Sequence, residues 1–152
     1  MAASIREGIF AALIAALSGA GGPAGLTVHR ERTRPIEVDS LPAIMIYAED
    51  EQPKPLAGQT YRAPLTERQL SIAVECRALG SASVSPDAAL DPIVVWAMQT
   101  ILKNEAFGGL ANGVEEERTV WSSREGDLPI AAAAVHFTIK YRTSRLDPTS
   151  AS

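Results

Sequence analysis

The chain has 152 residues, 46% of them hydrophobic, which suits one domain with one core and excludes a disordered tail. Its 18 acidic and 14 basic residues are mixed along the sequence and leave a net charge of -4, so no basic patch points to tight nucleic-acid binding. The single cysteine, Cys76, excludes an internal disulfide and suits a reducing compartment.

The first element is a helix over residues 5–17. Ser4 and Glu7 form an S-x-x-E capping box, and Ile5, Ile9, Leu13 and Leu17 recur on one face with Phe10 and Ile14 beside them. Gly8, Ala11, Ala12 and Ala15 leave the rest of the helix small. The apolar run Ile9 to Leu17 behind Arg6 also has the outline of a signal peptide. Glu7 and the capping box favour a helix of the mature fold, and the run is too short to span a membrane. A Gly-rich stop covers residues 18–25.

A charged edge strand is expected over residues 26–32, then a buried strand over 41–48 (LPAIMIYA) ended by an acidic turn, Glu49-Asp50-Glu51. Pro53, Pro55, Gly58 and Pro64 make residues 51–64 a long irregular loop of the kind often used for contacts. Residues 67–78 alternate as a strand, with Leu70, Ile72, Val74, Cys76 and Ala78 on one face. A second helix lies within residues 85–106, capped by Asp87 or Asp91, and glycines 108, 109 and 113 end it. A hairpin of residues 114–124 and 128–143 closes the order around Glu125-Gly126-Asp127, and residues 144–152 read as a frayed end. The fold class is therefore α+β: a mixed, mainly antiparallel sheet of about five strands, with two main helices packed on one face and residues 1–152 forming one domain.

No catalytic, cofactor-binding or metal-ligating residue emerges. Cys76 shares its face with Ile72 and Val74, which makes it a core thiol. His136 falls opposite Val135 and Phe137 on the last strand, a solvated or interface position, and His29 sits in the charged edge strand. Neither histidine has a metal-ligand spacing to another ligand. Gly19-Ala20-Gly21-Gly22-Pro23-Ala24 matches G-x-G-x-x-A formally, but it follows a helix and contains a proline, so it is a helix stop and not a dinucleotide loop. G-x-S-x-G, H-E-x-x-H and C-x-x-C do not occur.

Contact surfaces are the remaining candidates. On the second helix Val94, Val95, Ala97, Met98, Ile101 and Leu102 gather into an arc for the sheet. Ile93 and Trp96 fall among polar residues, which marks them as a subunit contact, with burial under a loop of the same subunit as the alternative for Trp96. Tyr61 and Arg62 in the long loop are further interface candidates. Glu115, Glu116 and Glu117 read as solvated charge or as the acidic wall of a channel that repels DNA.

Taken together, SIREGIFAALIAAL, LPAIMIYAEDE, ERQLSIAVECRA, DPIVVWAMQTIL and AAAAVHFTIKYRT resemble the tail terminator family of long-tailed bacteriophages, the family of the minor tail protein U. The resemblance covers nearly the whole chain and contains no catalytic signature. It implies a non-catalytic virion protein without cofactors, a hexameric ring at the head-proximal end of the tail, assembled in the bacterial cytoplasm. Such a ring contacts further copies of itself, the major tail tube protein and the head–tail connector, and lets DNA pass without specific binding or membrane contact. A head–tail joining or tail-completion protein is the nearest alternative. A small soluble binding module or an enzyme of unrecognised type are alternatives of other classes.

Overall fold

A computed structural model of the chain describes residues 2–30, 41–55, 64–122 and 129–151. Helix α1 (Ile5–Leu17) begins where the capping box places it: the Ser4 hydroxyl accepts from the Glu7 amide at 3.2 Å. Its buried residues are Ile5, Ile9, Phe10, Leu13 and Leu17, a single stripe at helical spacing. Gly8 lies close to Leu110: a Cβ there would meet Leu110 Cδ1 at 2.8 Å, and the leucine side chain would have to shift.

Five strands follow: β1 (Thr27–Arg30), β2 (Ala43–Pro55), β3 (Leu65–Leu79), β4 (Gly113–Ser122) and β5 (Ile130–Ser144). They form one sheet in the order β1-β2-β3-β5-β4, with β1 parallel to β2 and every other pair antiparallel. The central β3–β5 pair runs without a register break from Leu65 opposite Ser144 to Leu79 opposite Ile130. Strict alternation buries Leu70, Ile72, Val74, Cys76 and Ala78 on β3, and Ala133, Val135, Phe137, Ile139 and Tyr141 on β5. Helix α1 and helix α2 (Pro86–Lys103) pack on that face and share one core cluster with it. Among the described residues the opposite face carries no helix, and the fold is α+β as the sequence predicts.

Several boundaries differ from expectation. The acids Glu49, Asp50 and Glu51 do not end the second strand; β2 continues through them to Pro55, with a bulge between Ala48 and Asp50. The bulge shifts the alternation by one and turns Glu51 inward, opposite Leu70, where Tyr141 and Arg6 reach it. Pro53 and Pro55 are tolerated on an edge: β3 pairs with β2 through Pro55 on one side, but among the described residues β1 covers the other side only from Ala43 to Ile46. The predicted loop over 51–64 is thus strand at its start, and residues 56–63 lie outside the described residues. So does the predicted turn Glu125-Gly126-Asp127. Helix α2 is capped by Ser85, whose hydroxyl accepts from the Ala88 amide at 3.2 Å, and not by Asp87 or Asp91. Pro86 then takes the first helical position and Pro92 stands in the second turn.

Residues 144–150, expected to fray, make backbone hydrogen bonds among themselves and to the rest of the fold. The Ser144 amide donates to the Ser150 carbonyl at 2.7 Å, Arg145 N–H to the Pro64 carbonyl at 2.8 Å, and the Ile5 amide to the Pro148 carbonyl at 3.1 Å. The last bond satisfies one of the free amides of the first turn of α1, which is why these polar residues dock. Burial of the α1 stripe is the main hold on that helix: replacing the fully buried Leu13 by alanine is expected to cost roughly 2–5 kcal/mol, read as a lowered urea midpoint at unchanged slope.

Candidate functional site

The buried side of α2 is rotated from the expected arc. Leu90, Ile93, Val94, Ala97, Thr100 and Ile101 are buried, whereas Val95 and Leu102 are exposed. Ile93 is 2% exposed, so it belongs to the core and not to an outward stripe. Trp96 flanks the buried arc. Its indole N–H donates to the Leu17 carbonyl at 3.0 Å and its ring lies on Gly21 and Gly22, where a Cβ on Gly22 would come within 3.0 Å of the ring. Gly21 holds φ +96, a conformation that favours glycine. The Gly-rich stop is therefore also the seat of Trp96, and the alternative of burial by its own subunit describes it best. The remaining open groove there is lined by Gly21, Pro23, Pro92, Val95, Trp96 and Gln99. Tyr61 and Arg62 lie outside the described residues.

A polar cluster fills one end of the helix-covered face. Glu51 on β2 accepts from the Tyr141 hydroxyl on β5, from Arg6 Nη1 on α1 at 3.0 Å, and lies 3.5 Å from Arg68 Nη1 on β3. Arg68 Nε donates in turn to the Thr143 hydroxyl at 2.9 Å. Burial and the Glu51 carboxylate both push the Tyr141 phenol upward, so it stays protonated and acts as a donor. The cluster ties α1 to three strands. A second tie joins α1 to β1: the Arg30 guanidinium lies 3.8 Å over the Phe10 ring and makes two bonds to Glu7, at 2.8 and 2.9 Å, which hold the Glu7 carboxyl below its ordinary range.

The uncovered face of the sheet carries charges in pairs. His136 Nδ1 and Glu49 Oε1 are 2.6 Å apart across β3, Arg77 holds Glu75 at 2.8 Å, and Lys140 holds Glu115 at 3.0 Å. Between them Ala73 is fully buried and Met45 5% exposed, so apolar residues on this side are out of contact with solvent. The Glu49 contact was not legible, since 87 residues separate the partners. The pair orients the imidazole as a carboxylate orients a general base, but no hydroxyl or thiol is bonded to its other nitrogen among the described residues. Those residues also contain no group of three His, Cys, Asp or Glu placed to hold a metal ion. No helix among them is long and apolar enough to cross a membrane.

The acidic run sits on β4, the edge strand. A second bulge, between Glu116 and Arg118, makes Glu117 the extra residue. Glu115, Glu116, Glu117 and Arg118 are all exposed, and so are Val120 at 47% and Trp121 at 56%. Sequence reading passed over Trp121; its place on a strand that closes a hairpin was the available signal. Compared with known proteins, the chain matches no family model and no curated sequence.

Two predictions follow from these positions. Trp96→Ala should lower folding stability by about 2–3 kcal/mol, measured by denaturation followed by circular dichroism, because it empties a seat within the subunit. Burial pushes the Cys76 thiol from 9.0 up to about 12. The unfolded thiol ionises first as pH rises, so native stability is undiminished below pH 9.0 and declines from there toward about 12. Cys76→Val should flatten that decline, and thiol reagents should label the wild-type protein only as it unfolds.

Proposed function

We propose that this protein is a structural, non-catalytic subunit of a phage tail: a tail-terminator-type ring that caps the tube, ends its polymerisation and presents a surface for head attachment. What carries the reading is the resemblance of the sequence, which runs from the N-terminal helix to the closing strands. Two physical features support a structural role. The single cysteine is buried and held protonated, so it is no thiolate nucleophile at neutral pH. Among the described residues no helix covers one face of the sheet, and that face presents paired charges, a surface suited to contacts with other chains.

In this reading the chain's partners are further copies of itself, the major tail tube protein and the head–tail connector. The net charge of -4 lets DNA pass the ring without adhering. Purified protein mixed with uncapped tail tubes should appear by electron microscopy as a ring on one end of each tube, and should stop further growth. Disrupting its gene should give overlong tails. Tailless heads beside normal free tails would assign it instead to the head–tail joint. Tubes left bare, with normal particles from the disrupted gene, would remove it from the tail altogether.

A further inference from the structure

Strand β4 ends the sheet, so among the described residues the outer side of a ten-residue strand has no partner strand. Its acids and its bulge are devices that discourage strand addition, and they work against most registers. One register escapes them. If a second copy of the chain lays its own β4 antiparallel about a two-fold axis, with Gly113 opposite its Ser122, all ten residues pair. Val114 then meets Trp121, Glu115 meets Val120, Glu116 meets Thr119, and Glu117 meets Arg118. No like charges stand opposite each other, and an acid faces a base at the centre.

The faces agree as well. Within one subunit Val114, Glu116, Thr119 and Trp121 stand opposite core-side residues of β5, namely Ile139, Phe137, Val135 and Ala133. Glu115, Arg118 and Val120 stand opposite Thr138, His136 and Ala134 on the uncovered side. Because the bulge at Glu117 shifts the alternation by one, the four pairs that span it join residues on the same side. Without the bulge, this register would set helix-side residues against uncovered-side ones. Sliding the strands two residues one way opposes Glu116 with Glu117; sliding them two the other way frees the strand ends and parts Glu117 from Arg118. The exposed apolar residues of the edge, Val120 and Trp121, would both be paired.

We infer that the edge of β4 is a self-association surface, and that a second copy of this chain occupies it as an antiparallel, two-fold partner that makes one ten-stranded sheet. A two-fold contact closes at two copies, so it is distinct from the head-to-tail contact a polar ring requires and does not rest on the tail reading. It would be the form of the free subunit and would take Glu115, Glu116 and Glu117 out of any channel wall.

Sedimentation velocity over a concentration series tests the surface, and cysteine cross-linking tests its register. The wild-type protein should dimerise. Arg118→Glu should weaken the dimer about ten-fold, and Glu117→Arg with Arg118→Glu should restore it, since the swap re-forms the opposite pair. The double variant Glu115→Cys with Val120→Cys should give covalent dimers on mild oxidation. Glu115→Cys with Ser122→Cys should not, and Cys76 is buried and adds no background. Circular dichroism checks that each variant stays folded. A wild-type protein that stays monomeric throughout, a dimer indifferent to Arg118→Glu, or cross-links in the offset register only, would each overturn the proposal. Tube capping is scored separately on tails, so either reading can fail alone.

Discussion

The uninterrupted pairing of β3 with β5 is the constraint on which the molecule depends. Fifteen residue pairs without a register break fix which side of each strand faces the helices. A slip of one residue would send Phe137, Ile139 and Tyr141 to the bare side and bring His136, Thr138 and Lys140 under α1 and α2. Everything hung on this pair inherits its handedness of faces: β2 on one side, β4 on the other, and both helices on the apolar layer between.

The two bulges are the places where that inheritance is altered, and both lie in acidic runs. At Ala48/Asp50 the shift sends Glu51 under α1, where two arginines and a tyrosine hydroxyl satisfy it. A carboxylate half-withdrawn from water is tolerable only with such partners. At Glu116/Arg118 the shift lies on an edge and leaves its acids in solvent. The same local device therefore makes an internal anchor in one strand and sets the side-chain order of a free edge in the other.

Sequence reading succeeded where one periodicity was unopposed. The capping box gave the start of α1 and the Gly-rich stop its end, and strict alternation gave β3 and β5 to within a few residues. It failed where two signals competed. Prolines and acids looked like a turn, yet beyond Ile46 one side of β2 has no partner strand among the described residues and so accepts Pro53 and Pro55. Apolar residues surround most of α2, so its buried arc was ambiguous until the Gly21–Gly22 turn selected the position of Trp96. The Glu51 and Glu49 contacts join residues 90 and 87 positions apart, which no local pattern encodes.

The bond from the Ile5 amide to the Pro148 carbonyl brings the start of the first helix and the last described turn into one corner of the molecule. The order of elements along the chain is consequently less binding than the order of strands in the sheet. A short linker could join the segment before Ile5 to the segment after Pro148, and the chain could be reopened in the exposed stretch at residues 81–84, between β3 and α2, with every strand pair kept. Probes attached near Ile5 and near Pro148 would therefore report on the same corner of the subunit.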